Sequence, residues 1–243
     1  MLAPLQKQDD SCEVHLWKYS LTKKLPLQFH KYLSPAEQGL SDRFTDEVTR
    51  MRFIAVRTFL KNILAWYTHL PPEEIQLFPG LNDKPFLKSG AGYAPVYFNL
   101  SYRQKHALLA VSRESRIGVD LEEISPIENL TAFTNHHFSV QEIKKILGQP
   151  SYKKQLALVF KLWTMKEALI KSTGLGFSIP LTNYNLIPFF KKRNLHPHFD
   201  VHNRWHIHPV FIASNYRAAV AIKAEKIELK VFRYEGAHEM LIS

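Results

Sequence analysis

The segment that most constrains this chain is 160–176, which reads FKLWTMKEALIKSTGLG. Its apolar residues recur at the i, i+3, i+7 spacing of a buried helix face, namely Leu162, Met165 and Leu169. Trp163, Glu167 and Lys171 follow at i, i+4, i+8, so they share a neighbouring stripe of the same helix. Gly174 and Gly176 supply a C-terminal stop. The pattern predicts a largely buried helix that carries a carboxylate and an ammonium one turn apart.

Two interpretations of Glu167 and Lys171 stay open on this pattern alone. The first is an i, i+4 ion pair at the helix surface, a common arrangement that contributes little to stability. The second is a pair of functional groups, which requires further polar residues from other parts of the chain.

The remaining sequence predicts a mixture of helices and strands. A serine cap and a following proline, Ser34 and Pro35, indicate a helix start, and a second helix is predicted at about 45–69. Ser139 and Glu142 form a capping-box pattern for a short helix at about 139–147, before the long helix at about 151–173. Alternating or apolar runs predict strands at 13–20, 95–101, 106–112, 116–123, 183–190, 205–212, 216–224 and 226–234.

Residues 101–121 resemble residues 214–232, because each segment has a polar turn, an alternating strand, a charged break and a second strand. This similarity hints at two similar halves, each a long helix packed on an antiparallel sheet. The match is short, so chance similarity stays open as an alternative.

Two carboxylates on one predicted strand provide the polar partners that the helix requires. Asp120 and Glu122 are two residues apart, so both project from the same sheet face. Together with Glu167 they form a set of hard oxygen ligands that suits Mg²⁺ or Mn²⁺. The alternative is that the two strand carboxylates only keep an edge strand soluble.

Other candidate sites are weaker. Five of the twelve histidines lie in the stretch 196–208, and a His-rich tract can bind transition metals. No cysteine accompanies them and the tract is predicted as a loop leading into a strand, so a native metal site there is disfavoured. Cys12, the single cysteine, has no paired histidine in view and excludes an intrachain disulfide.

Charge and hydropathy limit the class of protein. The formal net charge is +10, which attracts anions: nucleic acid, phosphorylated small molecules, an acidic protein or anionic lipid. No nucleic-acid-binding motif is visible. No apolar run is long enough to cross a bilayer, and the N-terminus lacks the apolar region of a secretory signal. We therefore expect a cytoplasmic protein.

Three blocks in order resemble the Sfp-type 4′-phosphopantetheinyl transferase family. They are FNLSYRQ (98–104), GVDLE (118–122) and FKLWTMKEALIKSTGLGFS (160–178), similar to the family's FN-(I/L)-S-H, G-(V/I)-D-(I/L)-E and W-x-x-K-E-(A/S)-x-x-K-x-x-G patterns. Supporting similarity lies in RFIAVRTFL (52–60), LNDKPFL (81–87) and HFSVQE (137–142). The resemblance spans about residues 34–180, and the last 60 residues match only in strand pattern.

This resemblance implies a fold and an activity. The fold is α+β, a pseudo-dimer of two similar α/β subdomains with the active site between them, divided here at 1–115 and 116–243. The activity is transfer of the 4′-phosphopantetheine arm of coenzyme A to a serine of an apo acyl or peptidyl carrier protein, with release of adenosine 3′,5′-bisphosphate. Carrier proteins are usually acidic, which suits the basic chain, and a duplicated chain can act as a monomer.

The resemblance also implies roles for particular residues. Asp120, Glu122 and Glu167 are the expected ligands of Mg²⁺, with Mn²⁺ possible. Glu167 is the expected general base, directly or through a water molecule, and Lys171 stabilises the departing phosphate. The expected coenzyme A contacts are Arg57, Lys84, Asn99, Ser101, Tyr102 and Lys171.

Tyr102 departs from the family pattern, which has histidine at this position. Tyrosine offers a neutral hydroxyl where histidine can carry charge, so we expect weaker coenzyme A binding rather than lost activity. Two alternatives remain. The first is a non-catalytic module that binds coenzyme A or a carrier protein. The second is a basic nucleic-acid-binding protein, which would bind in a strongly salt-dependent way.

Overall fold

The computed structural model describes residues 11–21, 31–80, 84–87, 92–174, 180–187, 205–236 and 240–242. The helices are α1 (Pro35–Ser41), α2 (Glu47–Thr68), α3 (Leu130–His137), α4 (Val140–Leu147) and α5 (Tyr152–Thr173). The strands are β1 (Cys12–Ser20), β2 (Phe78–Pro79), β3 (Pro85–Phe86), β4 (Tyr97–Arg103), β5 (His106–Ser112), β6 (Ile117–Glu123), β7 (Trp205–Val210), β8 (Tyr216–Lys223), β9 (Ile227–Tyr234) and β10 (Met240–Ile242). Short 3₁₀ turns lie at Pro72–Glu74 and Leu181–Asn183.

The first sheet has five strands in the order β10-β9-β1-β5-β4 and is covered by α2. The odd-numbered residues of β1 and β5 point to one face, since side chains alternate along a strand. Trp17, Leu109 and Val111 on this face pack against Phe59 and Ile63 of α2. The predicted helix at about 45–69 is therefore confirmed, and its apolar stripe forms the core of this half.

The second sheet has three strands in the order β6-β8-β7 and is covered by α5. Leu162, Met165 and Leu169, the predicted buried stripe, pack against Ala219 and Ala221 of β8. Ser151 caps the helix by accepting a hydrogen bond from the Lys154 backbone, and Gly174 ends it at a φ of +73°. No helix within the described ranges is both long and apolar enough to cross a membrane.

The two sheets pack face to face between the two long helices. Val14 and Leu16 of β1, on the face away from α2, contact a core that includes Val119 and Leu121 of β6 and Val220 of β8. The layers are therefore α2, the first sheet, the second sheet and α5. The predicted α+β class, with a helix on a sheet in each half, is confirmed.

Two predictions about strands are wrong. The sheets are not purely antiparallel, because β9 pairs in parallel with β1. This pairing arises because the chain leaves the second sheet after β8 and returns beside the N-terminal strand. The predicted strand at 183–190 is also wrong in its described part: residues 181–183 form a 3₁₀ turn and 184–186 are irregular.

The internal similarity has a structural counterpart in how the chain moves between sheets. β5 lies in the first sheet and β6 in the second, whereas β8 lies in the second and β9 in the first. Each matching segment thus ends with a strand that crosses to the other sheet. The pseudo-dimer and the division at residues 115 and 116 stay predictions, and strands β9 and β10 from the C-terminal part complete the first sheet.

Candidate functional site

The contact between β6 and α5 builds the candidate site. Gly118 lies so close to α5 that a Cβ atom there would be 2.0 Å from the Ala168 carbonyl oxygen and 2.5 Å from the Ser172 amide nitrogen. Backbone therefore approaches backbone, which only glycine permits here. Asp120 and Glu122 share this strand face with Gly118, so the predicted carboxylate pair is on the side of β6 that α5 covers.

Asp120 is the most buried carboxylate of the site, with 3% of its surface exposed. Its Oδ1 accepts hydrogen bonds from Lys171 Nζ at 2.6 Å and from Ser101 Oγ at 3.3 Å. Its Oδ2 is buried and has no hydrogen-bond partner. Burial raises the pKa of Asp120 above its ordinary value, although the nearby ammonium acts in the opposite direction.

Glu167 lies on α5 and is 7% exposed. Its Oε1 is buried without a hydrogen-bond partner. Burial raises the pKa of Glu167 to about 7, the negative charge of Asp120 adds to this rise, and Lys171 opposes it. A carboxylate with a pKa near neutrality is suited to accept a proton from a substrate.

Lys171 pairs across the strand–helix contact rather than along its own helix. Its Nζ atom lies 2.6 Å from Oδ1 of Asp120, and its side chain is 31% exposed. The interpretation of Glu167 and Lys171 as an ordinary i, i+4 surface pair is therefore wrong. The structure brings Asp120, Glu167 and Lys171 together, as expected from the sequence.

Two orphaned carboxylate oxygens make this site fit a hard cation. Asp120 Oδ2 and Glu167 Oε1 are both buried and lack partners, and burying a charge without compensation is costly. A divalent ion bound by oxygen ligands would provide that compensation. Within the described part of the chain, no three His, Cys, Asp or Glu side chains are grouped as metal ligands, so the third carboxylate, Glu122, does not join the other two.

Glu122 is held instead by Arg103, a residue for which the sequence predicted no role. Arg103 Nε donates to Glu122 Oε2 at 2.6 Å and Nη2 donates to Oε1 at 2.9 Å. Arg103 lies on β4 of the first sheet and Glu122 lies on β6 of the second sheet. Strand alternation could have indicated Arg103, because it lies two residues after Ser101 and so on the same face.

Asn99 and Ser101 attach β4 to the edge of the second sheet. Asn99 Oδ1 accepts from the Val119 amide at 2.8 Å, and Ser101 Oγ accepts from the Leu121 amide at 3.1 Å. β6 is an edge strand in its sheet, so these side chains satisfy amide groups that no strand pairs. Both residues border Asp120, and both are buried.

Tyr102 lies on the other face of β4, because its strand neighbours Phe98 and Leu100 pack in the core with α2. Its side chain is 42% exposed. Strand alternation thus places Tyr102 and Ser101 on opposite faces of β4, although the family resemblance assigned both to coenzyme A contacts.

Arg57, another expected coenzyme A contact, is on α2. Its Nε lies 3.7 Å from Glu37 Oε1 and its guanidinium lies 5.3 Å from the Phe53 ring centre.

Lys84 binds backbone carbonyls at the junction of β6 and α5. Its Nζ donates to the Lys171 carbonyl at 2.8 Å and to the Ile117 carbonyl at 3.0 Å. Burial lowers the pKa of Lys84 to about 8, with further lowering from Arg116 and Lys171. In this structure the lysine joins the end of the helix to the start of the strand.

A second buried ion pair supports α5 beneath the site. Lys166 Nζ lies 2.6 Å from Glu142 Oε2, and neither side chain is exposed. The ammonium also donates to the Leu181 carbonyl at 2.9 Å, and Glu142 Oε1 accepts from the Leu186 amide at 2.9 Å. The sequence indicated Glu142 only as the capping residue of α4. That role is confirmed, but its burial depends on packing of distant segments.

The His-rich stretch is only partly described, since His196, His198 and His202 lie outside the described residues. His206 is buried on β7, and its Nε2 lies 3.0 Å from the Ala224 carbonyl oxygen. Its ring stacks with that of His208 at 6.2 Å between centres. Cys12 is buried with its Sγ 3.4 Å from Ser112 Oγ.

Comparison with known proteins identifies similarity over the segment that carries the site carboxylates. The family model of the 4′-phosphopantetheinyl transferase superfamily matches residues 116–221, a range that includes all three carboxylates. The chain is 34% identical over 170 residues to the 4′-phosphopantetheinyl transferase HetI of a Nostoc species, covering 69% of this chain and 71% of HetI.

Two further relatives show the same similarity. The chain is 31% identical over 157 residues to the 4′-phosphopantetheinyl transferase psf-1 of Bacillus pumilus, covering 65% of this chain and 64% of psf-1. It is 32% identical over 127 residues to the 4′-phosphopantetheinyl transferase AcpT of Salmonella typhimurium, covering 52% and 60%. The matches to these two therefore span less than two thirds of the relatives' own lengths.

Proposed function

Because this chain belongs to the 4′-phosphopantetheinyl transferase superfamily, we propose that it transfers the 4′-phosphopantetheine arm of coenzyme A to a serine of an apo acyl or peptidyl carrier protein. The observation that carries the proposal is the convergence of Asp120, Glu167 and Lys171 at the β6–α5 contact. Two buried carboxylates and a cation are the groups that phosphoryl transfer from a pyrophosphate needs.

The proposed reaction is a displacement at phosphorus. The serine oxygen of the carrier attacks the β-phosphorus of coenzyme A, and the bond from that phosphorus to the bridging oxygen breaks. The serine becomes a phosphodiester with the pantetheine arm, and adenosine 3′,5′-bisphosphate leaves. The serine proton must go to a base within reach, and charge on the leaving phosphate must be neutralised.

Glu167 is the proposed general base. Its pKa of about 7 leaves a substantial fraction ionised at neutral pH, so it can accept the serine proton and still release it afterwards. Because the buried Oε1 atom without a hydrogen-bond partner is the one proposed below as a metal ligand, the other carboxylate oxygen would take the proton, directly or through a water molecule.

Lys171 is the proposed partner of the leaving phosphate. Its ammonium is bound to Asp120 on one side and is partly exposed, so it can contact an anion that enters the site. A charge-assisted contact of this kind strengthens as negative charge accumulates on the departing oxygen.

Mg²⁺, with Mn²⁺ as a substitute, is the proposed cofactor. Asp120 and Glu167 would hold the ion through their orphaned oxygens, with Glu122 as the third carboxylate. When bound, the ion supplies charge neutralisation for the pyrophosphate. Within this arrangement Asp120 also fixes the position of Lys171, and Ser101 fixes Asp120.

Coenzyme A contacts are proposed for Arg57, Lys84, Asn99, Ser101, Tyr102 and Lys171. Lys171 and the pair Asn99–Ser101 border the carboxylates, which supports their assignment. In the structure, Arg57 lies beside Glu37, and Lys84 donates to backbone carbonyls. Contact with a phosphate therefore requires that these cations share or exchange partners.

An acidic carrier is the proposed protein partner, because the chain has a net charge of +10 and opposite charge accelerates encounter. We also propose a monomer in the cytoplasm. The buried position of the single cysteine, Cys12, accords with a protein that needs no disulfide.

The test is to incubate the protein with coenzyme A, Mg²⁺ and an apo carrier protein, and to weigh the carrier by mass spectrometry. Addition of the phosphopantetheine mass is expected with wild type. The same mass should be absent with Glu167→Gln and present with Glu128→Gln, which makes the same chemical change at an exposed position. No modification of any of several carriers would overturn the proposal.

The same experiment separates the transferase from a non-catalytic module. A module would bind coenzyme A, measured by calorimetry, yet leave every carrier at its apo mass. The buried and partly ionised Glu167 favours the transferase, because binding alone does not need a group with a pKa near neutrality.

A further inference from the structure

Arg103 binds both carboxylate oxygens of Glu122, the residue proposed as the third metal ligand. The guanidinium donates from two nitrogens to the two oxygens of Glu122, at 2.6 Å and 2.9 Å. Glu122 is largely covered, with 15% of its side chain exposed, whereas Arg103 is 54% exposed. The carboxylate is thus held in place, while the arginine has room to leave.

The engaged state of Glu122 contrasts with its two neighbours. Asp120 lies two residues earlier on the same strand face, and its Oδ2 has no hydrogen-bond partner. Glu167 presents a similar orphaned oxygen from α5. Two carboxylates therefore have an oxygen ready for a cation, and the third has none.

We infer that Arg103 is a positioning residue that competes with the metal ion for Glu122. The inference rests on the proposed function, because it concerns the proposed metal. Arg103 holds Glu122 away from Asp120 and Glu167 until a cation takes its place. The guanidinium thereby offsets part of the repulsion that Glu122 exerts on Asp120 and Glu167 in the metal-free protein.

The physical basis is the geometry of arginine. A guanidinium matches a carboxylate with two parallel hydrogen bonds, which lysine cannot do. Exposed ion pairs of this kind contribute up to about 1 kcal/mol, equivalent to about a fivefold change in an equilibrium constant. A pair of that strength weakens metal binding measurably without preventing it, since the ion needs only to outcompete it.

Arg217 provides a matched control on the neighbouring strand. It lies directly across from Glu122 in the β6–β8 pairing. Its guanidinium donates to the Tyr216 carbonyl at 2.6 Å and to the Ser214 carbonyl at 3.2 Å, so its charge is near Glu122 but its donors serve the backbone. Replacement of Arg217 therefore tests the effect of nearby positive charge on metal affinity, separately from the two hydrogen bonds that Arg103 donates to Glu122.

The experiment is a titration of the full chain with Mn²⁺ alone, with free Mn²⁺ measured by electron paramagnetic resonance. Arg103→Ala should bind Mn²⁺ about fivefold more tightly than wild type. Arg103→Lys, which keeps the charge but cannot make two parallel hydrogen bonds to the carboxylate, should also bind Mn²⁺ more tightly than wild type. Arg217→Ala should stay within about twofold of wild type. In a Glu122→Gln background, Arg103→Ala should produce no gain, because the released side chain is no longer a carboxylate.

Unchanged or weaker Mn²⁺ binding by Arg103→Ala would overturn the inference. Equal gains in Arg103→Ala and Arg217→Ala would also overturn it, because general charge would then be the cause. If no variant binds Mn²⁺, both this inference and the proposed metal fail. Transfer itself is reported independently by the mass of the carrier, so a gain in Mn²⁺ affinity without any modified carrier would overturn the proposed function alone.

Discussion

The ammonium of Lys171 lies 2.6 Å from Oδ1 of Asp120, across the contact between a helix and a strand. One turn earlier on the same helix, Glu167 keeps a buried oxygen without a hydrogen-bond partner. Lys171 therefore pairs with the strand carboxylate, while burial and the nearby Asp120 raise the pKa of the helix carboxylate against the opposing effect of the ammonium. The site has one carboxylate tied to a cation and one that is able to exchange a proton near neutral pH.

Replacement of Lys171 should reduce transfer. In Lys171→Met, the leaving phosphate loses its cation and Asp120 loses its partner, so kcat should fall by about 100-fold or more. Lys171→Arg retains the charge and should keep a larger share of the activity. The measurement is the initial rate of carrier modification at saturating coenzyme A. A methionine variant within about threefold of wild type would remove Lys171 from the mechanism.

Glu167→Gln should stabilise the fold while it abolishes transfer. The folded-state pKa of Glu167 is raised to about 7 from an ordinary value of 4.5. Ionisation therefore costs folding free energy as pH rises through this window, and the cost is absent below it. The variant should gain up to about 3 kcal/mol over wild type at pH 8 and nothing at pH 4.

Urea unfolding at pH 4, 6 and 8 measures this difference. Glu128→Gln, at an exposed position, is the control and should leave the pH dependence of the unfolding free energy unchanged. A stability difference for Glu167→Gln that is equal at all three pH values would contradict the buried, proton-binding role.

Gly118→Ala should disrupt the site through the backbone. The new methyl group would meet the Ala168 carbonyl oxygen at 2.0 Å, so α5 must move away from β6. We expect a loss of about 3 kcal/mol or more in unfolding free energy. Gly39→Ala is the control, because nothing lies within 4 Å of a Cβ at this helical position. It should raise stability by about 0.5–1 kcal/mol. Equal stability of wild type and Gly118→Ala would refute the close contact.

Lys166→Met should be strongly destabilising, because it leaves Glu142 as a buried carboxylate without its cation. Breaking a buried pair from one side costs about 3–5 kcal/mol. The double variant Lys166→Met/Glu142→Gln should recover part of that loss. Lys153→Met, on the exposed surface of the same helix, should change the unfolding free energy by less than about 0.5 kcal/mol. A double variant no more stable than Lys166→Met would argue against an electrostatic cause.

Tyr102→His should lower the KM for coenzyme A, since a histidine can donate a charge-assisted hydrogen bond to a phosphate. The position is 42% exposed, so the substitution needs no repacking of the core. Tyr97→His, at another exposed position of the same strand, should leave the KM unchanged. If the KM of Tyr102→His does not fall, the account of position 102 is wrong.

Much of the fold followed from local spacing. The 3.6-residue period predicted the buried stripe of α5, and capping residues predicted the starts of α1 and α4. Two-residue alternation predicted that Asp120 and Glu122 share a face. The prediction of a strand at 183–190 is wrong for its described residues, 183–187, because apolar side chains such as the buried Leu186 pack there without strand pairing, and apolar content alone does not select a strand.

Spacing within the chain determined which residues share a face, since a helix and a strand have fixed periods. Order and motif similarity determined the family. Only the tertiary structure decided which partner each group binds: Lys171 pairs with Asp120, Arg103 engages Glu122, Asn99 and Ser101 satisfy the edge of β6, and β9 pairs with β1. These choices depend on how distant segments pack and on which buried polar atoms must be satisfied, and no local period encodes that.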